Sequence, residues 1–341
     1  MNQDQMLLEV RNLKTYFFLE EGTVHAIDGA DFAIGRGEAL GVVGESGCGK
    51  SVTGQSILRI VPHPGRIVEG EIIYYRYSQR EDGTEIQEPV NITALDPQGD
   101  EIRSIRGGEI AMVFQEPMTS LSPVHTIGQQ IMEAIILHQG VDKQEARRRA
   151  IDMLHRVGMP QPEITVDSYP HQMSGGMRQR GMIAMALSCS PSLLIADEPT
   201  TAIDVTTQAQ ILQLMRDLQE DLGMAIMFIT HDLGVIAEMT KRVVVMYMGK
   251  IVESASVDDL YYDPKHPYTR ALMNSIPRLT QERGQRLESI RGMVPDPYNL
   301  PPGCPFHPRC NSFMPGVCDV DEPPNAEVGP AHEARCFLYQ Q

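Results

Sequence analysis

Short continuous apolar runs alternate along this chain with amphipathic stretches of helical period. The run "EALGVVG" at 38–44 stops on glycine, and "SVTGQSILRIV" at 51–61 carries Ile57, Leu58 and Val61 at helical spacing. Strand, loop and helix are expected there in that order. Over 143–158, "KQEARRRAIDMLHRVG" sets Ala146, Ile151, Leu154 and Val157 on one face, with Gly158 and Pro160 as stop signals. The run "SLLIADEP" at 192–199 is apolar without alternation and ends on carboxylates, the pattern of a parallel strand buried on both faces. A helix over "TTQAQILQLMRDLQEDLG" (206–223) would bury Ile211, Leu212, Met215, Leu218 and Leu222. Two further strand regions follow, "MAIMFIT" (224–230) and "VVVMYMGKIVES" (243–254), the second with Gly249-Lys250 as a hairpin turn. Strands separated by helices imply an α/β fold with a largely parallel sheet.

Three regions break this rhythm. Residues 76–104 are polar and turn-rich, consistent with a hairpin extension or a surface loop. From 116 to 190 the pattern is helical, as for an inserted subdomain. Beyond 255 prolines and glycines multiply and mark a separate C-terminal region. The chain therefore divides into a first core part at 1–115, a helical part at 116–190, a second core part at 191–255 and a tail at 256–341. No internal repeat of solenoid period is present.

Composition narrows the classes. A length of 341 residues suffices for one large α/β domain with appended pieces, or for two to three smaller ones. With 29 Lys and Arg against 45 Asp and Glu, the net charge of −16 argues against a nucleic acid partner. Of six cysteines only Cys48 and Cys189 lie outside the tail, so the main body has no disulfide framework and suits a reducing compartment. No run of eighteen apolar residues exists, and the start "MNQDQMLLEV" lacks the basic and apolar regions of a signal peptide. A cytoplasmic protein is expected.

The chemistry begins at "GESGCGKS", residues 44–51, which fits a phosphate-binding loop between strand and helix. Gly44 and Gly49 permit backbone angles that turn successive N–H groups toward one point, Lys50 adds a cation, and the Ser51 hydroxyl can ligate a metal. The candidate cradle comprises Gly44, Glu45, Ser46, Gly47, Cys48, Gly49, Lys50, Ser51 and Val52. The following helix aims its positive end at the same anion. Such a loop needs an acid for Mg2+ and a group to position water. Asp197 can serve the first and Glu198 the second.

From these residues outward the sequence resembles the ABC transporter ATPases. "VFQEP" (113–117) is similar to their Q-loop, "MSGGMRQR" (173–180) to their signature, "TTAID" (200–204) to their D-loop and "THD" (230–232) to their H-loop, in matching order across about residues 5–255. The fold implied is a P-loop NTPase (ABC ATPase) core with an inserted α-helical subdomain and a small irregular C-terminal cysteine-containing region. The resemblance also implies head-to-tail dimers. In them ATP lies between the phosphate loop of one subunit and Ser174, Gly175 and Gly176 of another. Gln115 would sense Mg2+ and the γ-phosphate, His231 would hold the γ-phosphate and attacking water, and Asp204 would adjoin the nucleotide. An aromatic ring should stack on adenine, and "TYFF" offers Phe17 first and Tyr16 second. The signature has Met173 and Met177 where Leu and Gln are commoner, and the D-loop has Ile203 for Leu. Neither departure removes a polar group that hydrolysis requires.

The tail narrows the resemblance. "HPYTRALMNSIP" (266–277), "IRGMVPDP" (290–297) and "PPGCPFHPRC" (301–310) are similar to the C-terminal region of oligopeptide/dipeptide importer ATPases. That family implies two membrane-spanning permease subunits docked around Gln115 and residues 118–140, and a second, commonly non-identical ATPase subunit. It also implies an extracytoplasmic solute-binding protein and a peripheral position at the cytoplasmic membrane face. Peptide is the default cargo, with nickel or oligosaccharide in relatives; a soluble mechanochemical ATPase is the competing class. Cys304, Cys310, Cys318 and Cys336 are spaced like neither a ferredoxin run nor a zinc ribbon. A segment so poor in apolar residues needs a staple, which four thiolates on one metal would provide. The resemblance implies a 4Fe–4S cluster. Zinc, with His332 as substitute ligand, and free or paired thiols stay open.

Overall fold

The apolar runs become strands because both of their faces are covered. The computed structural model describes residues 5–80, 82–83, 85–116, 120–201, 203–275 and 290–340. Strands β1 (Met6–Leu19) and β2 (Gly22–Gly35) pair antiparallel, and β3 (Ala39–Val43) leads through the glycine loop into helix α1 (Lys50–Ile57). With β4 (Gly65–Gln79) and β5 (Glu85–Asn91) the first pair completes a four-stranded sheet of order β2-β1-β4-β5. Helix α2 (Asp100–Ile105) precedes β6 (Ile110–Val113). Among the described residues the helices that follow are α3 (Ile127–Gln139), α4 (Lys143–Arg156), α5 (Pro162–Thr165) and α6 (Gly175–Leu187). The chain then re-enters the core through β7 (Leu193–Asp197), α7 (Val205–Leu222), β8 (Ala225–Ile229), α8 (Leu233–Met239), β9 (Arg242–Tyr247) and β10 (Lys250–Ser256). It ends with α9 (Val257–Tyr262), α10 (Pro267–Asn274), β11 (Asn325–Gly329) and β12 (His332–Arg335).

The main sheet runs β11-β12-β10-β9-β3-β8-β7-β6. Its five strands from β9 to β6 are parallel, and the remaining pairings are antiparallel. One face, including Leu40, Val42, Ile195 and Met227, packs on Leu8, Leu13, Ile27 and Ile72 of the smaller sheet. The other, including Val43, Leu194, Phe228 and Val245, packs with Leu154, Ile183 and Ile211 from the helices. Coverage on both sides removes the alternation that a one-sided sheet would show. Among the described residues no helix is long and apolar enough to cross a membrane.

Three expectations change. Helix α1 ends at Ile57 instead of reaching Val61, because Arg59 takes a left-handed φ of +54° that breaks the hydrogen-bond ladder. The hairpin turn is Met248-Gly249, one residue earlier than expected: both residues have positive φ, and Lys250 pairs with Tyr247. The tail is not separate. Its hairpin β11–β12 extends the main sheet through β10, and Phe306 is buried against Tyr247 and Tyr268. The polar stretch after 76 does form the expected hairpin, as β4 and β5 pair from Ile73–Asn91 to Gln79–Glu85.

Candidate functional site

The glycine loop sits between the end of β3 and the start of α1, in backbone conformations that side chains oppose. Gly49 has φ +104°, and a Cβ there would lie 2.2 Å from the Ala26 carbonyl oxygen; one on Gly44 would lie equally close, 2.2 Å, to that of Met246. Glycine is thus required by both torsion and space. Lys50 is buried and folds back across the loop, its Nζ donating to the carbonyls of Gly44 (2.8 Å) and Glu45 (3.1 Å).

Four chain segments converge beside this loop. The Ser51 hydroxyl donates to Asp197 Oδ1 at 2.9 Å, joining α1 to the end of β7. One residue on, the Glu198 carboxylate accepts from Gln115 Nε2 at 2.8 Å and from the Thr201 hydroxyl at 2.9 Å. It also meets His231 Nδ1 at 2.9 Å, and since a carboxylate only accepts, Nδ1 carries the hydrogen and leaves Nε2 free to face outward. Glu198 has a left-handed φ of +45°, which ends the strand alternation so that both carboxylates serve one site. Burial pushes the Asp197 carboxyl above the usual aspartate range. Burial pulls Glu198 the same way, but hydrogen bonds from His231 and Thr201 outweigh it and hold that carboxyl below the usual range. The hard oxygens of Ser51 and Asp197 are a donor set that suits Mg2+.

The other motif residues lie where their local chemistry places them. Ser174 caps α6, its hydroxyl accepting from the Met177 N–H at 3.3 Å, and Ser174 and Gly175 face solvent. Buried Gln179 ties that helix to the site by donating to the Pro199 carbonyl. Asp204 uses its carboxylate to cap α7, accepting from the Thr207 N–H at 2.9 Å and hydroxyl at 2.7 Å. Pro117 of the Q-loop, Ala202 of the D-loop, residues 118–119 of the docking stretch and residues 276–277 lie outside the described residues.

The two candidate aromatics lie in different surroundings. Tyr16 stacks on His25 with centroids 4.0 Å apart and donates its hydroxyl to Asp28 at 2.7 Å. Asp28 also meets Lys250 Nζ at 3.0 Å, and the backbone beside that lysine contacts the glycine loop, Gly249 N–H donating to the Cys48 carbonyl at 3.0 Å. Phe17 instead lies against Gly65, beyond the far end of α1 from the loop.

In the tail the four cysteines line one small pocket together with His266, Phe306 and Phe337, and all are free thiols. Burial, with a smaller contribution from the neighbouring thiols, pushes Cys304 up to about 12. The cavity between them is only ≈ 10 Å3, room for about one water. Among the described residues no group of three or more His, Cys, Asp or Glu side chains is arranged to hold a metal ion. The expectation of a metal centre is therefore not met by this packing, although four thiols are the right donor chemistry for one. His332 is no substitute ligand here: its Nε2 is 2.7 Å from the buried Glu253 carboxylate.

Two elements of the site were missed by the sequence reading. Thr201 adds a third hydrogen bond to Glu198, and the tail reaches the glycine loop through Tyr268 and Arg309, which hold Glu45. The first had a signal, a hydroxyl three residues after the catalytic candidate. The second had none, because Arg309 is 264 residues from its partner.

Comparison with known proteins places the chain in a family. A family model described as ABC transporter matches residues 27–201, and one described as the C-terminal region of oligopeptide/dipeptide transporters matches 252–318. The chain is 52% identical to a probable peptide ABC transporter ATP-binding protein of Sinorhizobium fredii, over 97% of this chain and 95% of that one. It is 50% identical to the oligopeptide transport ATP-binding protein AppD of Bacillus subtilis, over 98% and 97%. With the dipeptide transport ATP-binding protein DppD of the same organism the identity is 44%, over 99% and 96%. Among solved structures, the dimeric post-hydrolysis state of the cassette MJ0796 bound to ADP and Pi superposes with a TM-score of 0.62 and 26% identity, covering 74% of this chain and 99% of that one.

Proposed function

This chain belongs to the ABC transporter family as an ATP-hydrolysing ATP-binding subunit, and from that premise we propose that it powers the import of di- or oligopeptides. The observation that carries the hydrolytic part is the Glu198 carboxylate, held by Gln115, Thr201 and His231 beside the Ser51–Asp197 pair. The peptide cargo is supported by the match of residues 252–318 and by relatives named for oligopeptide and dipeptide transport.

In this reading residues 1–115 and 191–255 form the ATPase core, 116–190 the helical part that meets the permeases, and 256–341 the C-terminal region. The N–H groups of residues 44–52 and the Lys50 ammonium hold the phosphates, and Tyr16, backed by His25, is the adenine platform rather than Phe17. Ser51, Asp197 and Gln115 would hold Mg2+, which when bound would neutralise phosphate charge. Glu198 takes a proton from water as the water oxygen bonds to γ-phosphorus. The bond from that phosphorus to the bridging oxygen breaks, releasing ADP and phosphate. His231, oriented through Nδ1, presents Nε2 to the γ-phosphate. Closure needs Ser174, Gly175 and Gly176 of a neighbouring ATPase subunit, and the exposed helix terminus that they form supports this. Asp204 sets the start of α7 at that junction.

The partners proposed are two permease subunits, a second non-identical ATPase subunit and an extracytoplasmic binding protein, with this chain peripheral on the cytoplasmic membrane face. For the tail the proposal is a thiolate-bound 4Fe–4S cluster acting as a structural staple. Convergence of the four thiols on one pocket supports it. Iron and zinc analysis of anaerobically purified protein tests the staple: zinc without iron, or neither, overturns it. Reconstitution with the permeases tests transport. ATPase activity should rise when a peptide-loaded binding protein is added, and stimulation only by a non-peptide solute would overturn the cargo.

A further inference from the structure

An acidic residue inside a phosphate loop poses an electrostatic problem. The Glu45 carboxylate stands at the mouth of a site meant for a polyanion, and nothing within the loop neutralises it: Lys50 reaches the Glu45 carbonyl, not its side chain. The neutralising group comes from the tail. Arg309 Nη1 donates to Glu45 Oε2 at 2.7 Å and Nη2 to Oε1 at 3.2 Å, a fork on both carboxylate oxygens.

The arginine is fixed more firmly than its partner. Its side chain is 4% exposed against 26% for Glu45. Nε donates to the Arg291 carbonyl at 3.0 Å, Nη1 also reaches the Tyr247 hydroxyl at 3.3 Å, and Phe306 and Tyr247 wall the guanidinium. A second tail residue grips the same loop position from the backbone side, the fully buried Tyr268 hydroxyl accepting from the Glu45 N–H at 2.9 Å. The first residue after Gly44 is thus held at side chain and main chain together.

We propose that Arg309 is a positioning residue for the phosphate loop, cancelling the Glu45 charge and clamping the loop in its anion-binding form, so that the C-terminal region sets the affinity of the ATP site. The proposal rests on the phosphate-loop reading above. It places the effect on nucleotide binding rather than on the chemical step, because Arg309 acts through Glu45 and not on the γ-phosphate.

The test is MgATP binding and steady-state ATPase kinetics on the full-length protein. Arg309→Ala should raise the KM and Kd for ATP about tenfold, with kcat changed less than about twofold. Arg309→Lys, which keeps the charge but loses the fork, should fall between. Adding Glu45→Gln to Arg309→Ala should bring affinity back toward wild type, since the penalty is the uncancelled carboxylate. A general loosening of the tail would not be rescued in this way. If Arg309→Ala does not fold, Arg309→Lys and Glu45→Gln carry the test. Wild-type affinity in Arg309→Ala, or a double variant no tighter than the single one, overturns the clamp. Lys50→Ala distinguishes the two levels: if it binds ATP as wild type does, the nucleotide site itself is misread, whereas its loss of binding beside an unaffected Arg309→Ala sinks the clamp alone.

Discussion

Asp197 and Glu198 share a peptide bond and are pushed to opposite sides of the ordinary carboxylate range: burial raises the first, while burial of the second is outweighed by hydrogen bonds from His231 and Thr201. The left-handed turn at Glu198 allows both to serve one site, and their environments divide the labour. Asp197, buried and bonded to Ser51, suits the proposed cation-binding role. Glu198, bonded to His231 and held below the usual range, suits the proposed proton-accepting role.

Glu198→Gln keeps the shape and the hydrogen bonds to an oxygen but removes the base. ATP binding should stay within about threefold of wild type while kcat falls about 10²- to 10³-fold, leaving a nucleotide-bound dimer. Turnover within about twofold of wild type would refute the role.

Gly49→Ala forces a Cβ to within 2.2 Å of the Ala26 carbonyl at a φ of +104°. The loop must shift, at a cost of about 1–3 kcal/mol in stability, and its N–H groups then lose their common aim. Thermal unfolding with and without MgATP should show a lower Tm and no nucleotide-induced rise.

Ser174→Arg tests the two-subunit site. The side chain stands exposed at the α6 terminus, so the isolated chain should bind ATP with unchanged affinity. In the Glu198→Gln background, ATP-driven association with a second ATPase subunit, followed by light scattering, should be lost. Lys50→Ala should lose both binding and association.

The buried His266 predicts an acid-side loss of stability. Its Nδ1 accepts from the Tyr268 N–H at 3.1 Å, and burial lowers its pKa from 6.5 to about 3. Unfolded chain takes up a proton that the native fold refuses, so the contribution is complete above about 6.5 and lost as pH falls toward 3, reaching about 4 kcal/mol at the low end. His266→Asn retains a capping acceptor without a titrating ring. Urea midpoints measured from pH 7 to 4 should fall less steeply for that variant than for wild type.

Much of this protein was legible residue by residue. The continuous run "SLLIAD" became β7 and the 206–223 pattern became α7, capped by Asp204. Gly44 to Ser51 formed the expected loop, because torsional freedom, a cation and a hydroxyl are properties of residue type. The preference proposed for Tyr16 over Phe17 was not legible, since adjacent strand residues point to opposite faces and their surroundings emerge only in the fold. Nor was the tail: with few apolar residues it looked detached, yet β12 pairs with β10 and Phe306 enters the core.

Local chemistry, then, was written in the sequence: which segments are strands, which loop suits a phosphate, which acids flank it. These depend on short-range periodicity, torsion and charge, all properties of neighbouring residues. The tertiary structure alone decided that Arg309 meets the Glu45 carboxylate and that Tyr268 holds the loop's backbone. Both pairings with Glu45 join positions more than two hundred residues apart. They exist only once the sheet has brought β3, β9 and β10 side by side and folded the tail over their ends.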